Sequence, residues 1–134
     1  MKRNGGCLCG DIRYEADLHD GDVADYCHCS QCRRASGAPV VAWIQVPPER
    51  FRVTTGSAKG FSSSPEATRW FCARCGSPLY MSDPNGHSIG INIATLDAAA
   101  EVAPNGHGWF SARLPWFDTR DDLERHGETP PYDL

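Results

Sequence analysis

Near the middle of the chain lies the segment Thr68-Arg69-Trp70-Phe71-Cys72-Ala73-Arg74-Cys75-Gly76-Ser77-Pro78-Leu79-Tyr80-Met81. Its two cysteines stand three positions apart, and the residues on either side are of the β-branched and aromatic types that favour strands. We therefore predict a β-hairpin whose tip carries both thiols. A short turn of this kind aims two sulfur atoms at one point, as a tetrahedral zinc site requires.

Five further cysteines lie upstream in two clusters, Cys7-Leu8-Cys9-Gly10 and Cys27-His28-Cys29-Ser30-Gln31-Cys32. The total of seven is odd, whereas a secreted disulfide framework favours an even number. No apolar segment follows the basic residues Lys2 and Arg3, so we expect no signal peptide and a cytoplasmic protein. In a reducing compartment, clustered cysteines are more often metal ligands or redox groups than disulfides.

The cysteines divide into a group of four and a group of three. Glycine follows both outer pairs, as Gly10 and Gly76, and glycine tolerates the positive φ that turns backbone N–H groups toward metal-bound sulfur. The outer pairs then give a closed, structural zinc site with four thiolates: Cys7, Cys9, Cys72 and Cys75. The inner cluster has three sulfurs, Cys27, Cys29 and Cys32, and three ligands with one open position are typical of catalytic zinc. Two zinc ions per chain are therefore predicted.

A second interpretation makes the inner cluster another structural site, which a histidine completes. Five histidines are available to it in principle: His19, His28, His87, His107 and His126. His28 lies between two of the cysteines and is expected to point away from the metal. The other four histidines are expected at the surface. A thioredoxin-like use of Cys29 and Cys32 would need a βαβ context, which the flanking sequence does not offer.

Composition restricts the chain to a small globular domain. Its 134 residues suit a single domain, 1–134, and a hydrophobic fraction of 40% with 22% charged residues excludes a disordered chain. Seven thiolates and two divalent ions would change the formal charge from −4 to −7, so nucleic acid is not an expected partner. No apolar run approaches the roughly 20 residues of a membrane span, so no membrane association is expected either.

Hydrophobic alternation predicts a mainly β domain with little helix. Besides the hairpin, the predicted strands are near 12–16, 40–46, 51–54 and 89–93, and residues 23–28 lead into the inner cysteine cluster.

Two short helical segments are predicted. One is a helical turn over 30–36 that ends at Gly37, and the other runs from Asp118 to His126 with Asp118 or Thr119 as its N-cap. The last eight residues, 127–134, contain two prolines and are predicted to form an extended tail.

The three cysteine segments resemble those of the glutathione-dependent formaldehyde-activating enzyme family, which also includes centromere protein V. The likeness rests on residues 5–14, 27–34 and 69–79, and the segments around Ile89-Gly90-Ile91 and 109–116 are also similar. The resemblance implies a β-tent fold with zinc knuckles. It also implies a structural zinc on Cys7, Cys9, Cys72 and Cys75, and a second zinc on Cys27, Cys29 and Cys32.

The resemblance further implies a carbon–sulfur lyase that adds the thiol of glutathione to formaldehyde, giving S-(hydroxymethyl)glutathione. A small thiol such as glutathione and a small aldehyde are then the expected partners, and Cys27, Cys29 and Cys32 are the expected catalytic group. An open zinc position can deprotonate a thiol or polarise a carbonyl. Two other functions stay open: a non-catalytic zinc-binding module for protein interaction, and a thiol/zinc redox sensor.

Glutathione has two carboxylates and an amine, so its pocket needs cations and backbone donors. Arg33 and Arg34 directly follow the third cysteine of the inner cluster and are candidate carboxylate partners. Trp43 is a candidate for the pocket wall, although its apolar strand suits the core as well. Arg69 and Lys59 are weaker candidates, and the sequence identifies no general base.

Overall fold

The structure is a computed structural model that describes residues 1–131. Within these residues lie eleven strands: β1 (Lys2–Gly6), β2 (Arg13–Asp17), β3 (Ala24–Cys27), β4 (Val41–Val46), β5 (Phe51–Thr55), β6 (Lys59–Ser64), β7 (Ala67–Phe71), β8 (Pro78–Ser82), β9 (Ile89–Asn92), β10 (Gly106–Gly108) and β11 (Glu124–Arg125). The predicted mainly β class is confirmed. The one α-helix of this part of the chain is α1 (Ser30–Ser36). Four short 3₁₀ segments cover Pro48–Arg50, Ile93–Thr95, Ala99–Glu101 and Phe110–Ala112.

The strands form two sheets. The smaller has the order β1-β2-β5, and the larger has the order β11-β10-β3-β4-β9-β8-β7-β6. Neighbouring strands are antiparallel, except that β10 runs parallel to both β3 and β11. The predicted hairpin is confirmed as β7 and β8, with residues 72–77 between them.

Helix α1 follows the predicted bounds, and its ends explain why. Cys29 is its N-cap, in extended conformation, and the Cys29 Sγ accepts a hydrogen bond from the backbone N–H of Cys32. Gly37 ends the helix with a φ of 70°, a conformation that glycine adopts without steric cost. The N-cap of the helix is therefore itself a member of the inner cysteine cluster.

The helix predicted from Asp118 to His126 is wrong. Arg120 has a positive φ of 48°, which no α-helix accommodates. Glu124–Arg125 instead forms β11 beside β10, and the backbone N–H of His126 donates to the carbonyl oxygen of His107. A segment this short gains little from helix propensity, so these tertiary hydrogen bonds decide its conformation.

The described part of the predicted tail, 127–131, has no regular secondary structure. It is attached to the rest of the chain, because the backbone N–H groups of Trp109 and Ser111 donate to the carbonyl oxygens of Glu128 and Gly127. Residues 132–134 of that prediction lie outside the described residues.

The buried hydrophobic residues form two clusters, and each holds one group of cysteines. The larger contains Cys7 and Cys72 among residues such as Tyr14, Leu79 and Ile91. The smaller is built on Cys32, Val41 and Trp43, with Cys27 and Cys29 packed against it. In the described part of the chain, no helix is long and apolar enough to span a membrane.

Candidate metal centres and the adjoining cavities

The four outer cysteines come together, as the spacing predicts. The sulfur atoms of Cys7, Cys9, Cys72 and Cys75 lie within 4.8 Å of one another. Cys9 Sγ lies 3.6 Å from Cys7 Sγ and 3.7 Å from Cys72 Sγ. A tetrahedron with zinc–sulfur bonds of about 2.3 Å has sulfur atoms about 3.8 Å apart. The four-sulfur cluster therefore fits a zinc ion.

The turns of this cluster have the predicted backbone geometry. Gly10 and Gly76 have φ angles of 83° and 79°. The backbone N–H groups of Ile12 and Cys75 donate to Cys7 Sγ and Cys72 Sγ at 3.3 and 3.5 Å. Such donors stabilise the thiolate form that binds a metal.

Cys75 is held as a thiolate by its own neighbours. The hydroxyl of Ser77 and the backbone N–H groups of Ser77 and Cys9 lower the pKa of Cys75 to about 5. This cluster lies partly in the main core, where Cys72 is 2% exposed. Its four sulfurs could complete the tetrahedral coordination of a metal without any external ligand.

The three inner cysteines form a second cluster in which the sulfur atoms of Cys27, Cys29 and Cys32 also lie within 4.8 Å of one another. Cys27 ends β3, Cys29 is the N-cap of α1, and Cys32 lies in the first turn of that helix. No histidine, aspartate or glutamate among residues 1–131 joins them as a fourth candidate ligand. The cluster therefore offers three sulfurs and leaves one tetrahedral position to an external ligand.

The thiols of this cluster differ in how readily they lose their protons. Hydrogen bonds from Cys27 and Cys32, with the backbone N–H groups of Cys32 and Gln31, lower the pKa of Cys29 to about 2. Hydrogen bonding to Cys29 and Cys32, together with burial, raises the pKa of Cys27 above its usual range. Three neighbouring sulfurs cannot all be anionic unless a cation joins them. A divalent ion would remove this conflict, so the donor set fits a metal.

His28 takes no part in the sulfur cluster. It is 1% exposed, and its Nε2 lies 2.9 Å from His107 Nδ1. His107 Nε2 in turn lies 3.0 Å from an Asp121 carboxylate oxygen. Burial lowers the pKa of His28 to about 4, so its ring is neutral near pH 7. The expectation that His28 turns away from the metal agrees with these contacts.

The prediction of a surface position is wrong for His107, whose side chain is fully buried. The residue lies on β10 between β3 and β11 and stacks on Tyr26 at a ring-centroid distance of 5.0 Å. The glycine on each side of His107 is the one sequence signal of a crowded strand.

Two cavities border the three-sulfur cluster. The first, here called the apolar cavity, has a volume of about 380 Å³ and is walled mainly by Ala35, Val41, Phe61, Trp70, Pro78 and Tyr80. The second, here called the mixed cavity, has a volume of about 490 Å³. It touches all three cysteines, and three carboxylates line it: Asp25, Glu66 and Asp83. Cys32, Trp43 and Arg69 line both cavities.

Arg69 is the cation that both cavities share. Its Nη2 donates to Cys32 Sγ at 3.6 Å, and its Nε donates to Ser63 Oγ at 3.1 Å. Arg69 is one of the weaker candidates from sequence, because its approach to the cluster joins residues that are 37 positions apart in the chain.

Of the other candidate substrate-binding residues, one lies in the core and three lie on α1 or β6. Trp43 is 4% exposed, and its Nε1 has no hydrogen-bond partner among the described residues. Arg33 is half-buried and Arg34 is exposed, both on α1, and Lys59 is exposed on β6. These three cations are not among the residues that line the two cavities.

Three comparisons with known proteins identify what this chain is similar to. The family model of glutathione-dependent formaldehyde-activating enzymes matches residues 2–112, which include all seven cysteines. An uncharacterized lyase of Schizosaccharomyces pombe is 33% identical over 105 residues, 70% of this chain and 74% of that protein. A crystal structure of a Rhodobacter sphaeroides protein shares the fold, with a TM-score of 0.59 and 24% identity over 92% of this chain and 99% of that chain.

Proposed function

The chain belongs to the glutathione-dependent formaldehyde-activating enzyme family, and we propose that it is a zinc-dependent carbon–sulfur lyase. The proposed reaction condenses a small, glutathione-like thiol with formaldehyde or a related aldehyde to an S-hydroxymethyl adduct. The family match and the lyase relative from Schizosaccharomyces pombe together support a lyase-type enzyme. The thiol, the aldehyde and the metal are the parts that we propose.

The contrast between the two cysteine clusters supports this function. The four-sulfur cluster is complete by itself, whereas the three-sulfur cluster has two cavities beside it. Both donor sets fit zinc, so we propose two ions per chain, one held by Cys7, Cys9, Cys72 and Cys75 and the other by Cys27, Cys29 and Cys32. At the second site, bound zinc would act as a Lewis acid that favours the thiolate form of an incoming thiol.

The chemistry itself is an addition. The thiolate sulfur attacks the carbonyl carbon, a carbon–sulfur bond forms, and the carbonyl electron pair moves to oxygen, which takes a proton. Arg69 faces both cavities beside Cys32 and has N–H groups beyond those that bind Ser63 and the sulfur. We assign to these N–H groups the stabilisation of the negative charge that develops on oxygen.

Glutathione would lie in the mixed cavity. Its ammonium group suits the carboxylates of Glu66 and Asp83, which line that cavity together with the three cysteines. Arg33 and Arg34 stay predicted partners for the substrate carboxylates, from positions on α1 next to Cys32. Trp43 is proposed as part of the wall that separates the two reactants.

The test combines metal content with catalysis. Elemental analysis of the dialysed protein is expected to give about two zinc ions per chain. Exchange NMR of glutathione with formaldehyde is expected to show adduct formation above the uncatalysed rate. Two zinc ions without rate acceleration would favour a non-catalytic interaction module. One zinc ion, with a second that binds only under reducing conditions and leaves under mild peroxide, would favour a redox sensor.

A further inference from the structure

The apolar cavity is much larger than formaldehyde requires. Its volume is about 380 Å³, whereas one water molecule takes about 30 Å³ in the liquid. Formaldehyde has only two non-hydrogen atoms and would leave most of this volume empty. Pockets that bind whole ligands begin at about 300 Å³, so the apolar cavity is large enough for one.

The walls of the apolar cavity suit a hydrocarbon group. Trp70 and Tyr80 line it as a stacked pair with an angle of 14° between their ring planes, and Phe61 adds a third ring. Among the described residues, the lining includes no carboxylate, and Arg69 is its one cation. An ammonium group would find no anionic partner here, so the γ-glutamyl end of glutathione fits the mixed cavity and not this one.

The two cavities meet where the reaction would occur. Cys32, Trp43 and Arg69 line both of them, and Arg69 Nη2 lies 3.6 Å from Cys32 Sγ. A thiol in one cavity and an aldehyde in the other would therefore meet at these shared residues. With the thiol in the mixed cavity, the substituent of the aldehyde lies in the apolar cavity.

On the basis of the proposed function, we infer that the aldehyde substrate of this protein carries an apolar substituent, aromatic or branched, that fills the apolar cavity. The sulfur–carbon bond forms as the carbonyl π bond breaks, and the proton lost by the thiol ends on the aldehyde oxygen. The product is a hemithioacetal, and nothing is oxidised or reduced. Formaldehyde is then a poor substrate relative to larger aldehydes because it leaves the aromatic walls unused.

The test compares phenylacetaldehyde with formaldehyde, each with glutathione and the zinc-loaded protein, by exchange NMR. We expect a higher kcat/KM for phenylacetaldehyde. In Phe61→Ala, the ratio of the two kcat/KM values is expected to fall about tenfold, the usual effect of lost contact in a hydrophobic pocket. Phe61 is 64% exposed, so the variant keeps its core. Trp116→Ala, which removes an aromatic side chain that is 72% exposed and lines neither cavity, is the matched control.

A binding measurement does not depend on turnover. Phenylacetamide, an unreactive analogue, is expected to change the fluorescence of Trp43 and Trp70, and to bind about tenfold more weakly to Phe61→Ala but equally to Trp116→Ala. Catalysis with formaldehyde, but neither catalysis with phenylacetaldehyde nor binding of phenylacetamide, would overturn this inference alone. Catalysis with neither aldehyde would overturn the proposed function, and this inference with it.

Discussion

Arg69 Nη2 lies 3.6 Å from Cys32 Sγ, although the two residues are 37 positions apart in the chain. Strand β7 carries the arginine and helix α1 carries the cysteine. A guanidinium at this distance favours the thiolate form of the sulfur, and it places a cation on the wall that both cavities share.

Arg69→Met is expected to lower kcat for adduct formation about 100-fold, the usual loss when a donor to a developing oxyanion is removed. Arg69→Lys is expected to recover part of this loss, because lysine keeps the charge but lacks the planar set of donors. The kinetic constants are measured by exchange NMR, with zinc content as a check. Arg52→Met is the control, since Arg52 has a side chain that is 70% exposed and lies near Glu15. An unchanged kcat in Arg69→Met would remove Arg69 from the mechanism.

The two cysteine clusters are expected to respond differently to loss of one thiol. Cys29→Ser should retain helix α1, because serine is a good N-cap, while zinc falls from two ions to one and activity is lost. Cys72→Ser removes a buried ligand of the main core and should lower the Tm by about 10 °C or more. Elemental analysis and thermal unfolding measure both effects. A Cys29→Ser protein that unfolds would make the inner cluster structural.

Removal of the His107 hydrogen bonds is expected to destabilise the fold. His107→Phe keeps a ring on β10 but leaves His28 Nε2 without its partner in a buried position. We expect the free energy of unfolding to fall by about 2–3 kcal/mol, as measured by urea denaturation. His87→Phe is the control, because the His87 side chain is 77% exposed and should matter by no more than about 0.5 kcal/mol. Equal effects of the two substitutions would mean that the buried histidine pair contributes nothing specific.

A shielded ion pair makes stability depend on acid pH. Arg50 donates to both carboxylate oxygens of Asp22, at 2.7 and 3.0 Å, and the two side chains are 18% and 9% exposed. Burial alone would raise the pKa of Asp22, but the hydrogen bonds from Arg50 and from the backbone N–H of His19 outweigh it and lower the pKa. The unfolded chain therefore binds a proton more readily, and the pair stabilises the fold above the ordinary pKa of 3.8.

Asp22→Asn is expected to cost about 2 kcal/mol of the free energy of unfolding at neutral pH. The difference from the parent protein should shrink as the pH falls below 3.8 and the folded carboxylate takes up its proton. Urea denaturation at several pH values measures it. Asp20→Asn, at an exposed position in the same loop, is the control. A difference that grows toward low pH would have the wrong sign for this linkage.

Much of the local structure was predictable because it depends on residues close together in the chain. Cysteine spacing and the two glycines at positive φ predict the turns that carry the outer cysteines, Gly37 predicts the end of α1, and alternation predicts the strands. The helix predicted from local sequence over 118–126 is wrong, because β10 supplies hydrogen bonds that a short helix could not match.

The sequence alone groups the cysteines into the same four and three whose sulfur atoms lie close together in the structure, because each outer pair is a short-range turn that needs one partner pair to complete a tetrahedron. The rest of the site depends on distant residues. The strand order and packing bring Arg69 to Cys32 and bury His107 between β3 and β11. They also place an apolar cavity and a mixed cavity next to the three-sulfur cluster. Side-chain period and turn chemistry act over a few residues, whereas these contacts depend on which strands pair and in which register, and only the folded chain establishes that.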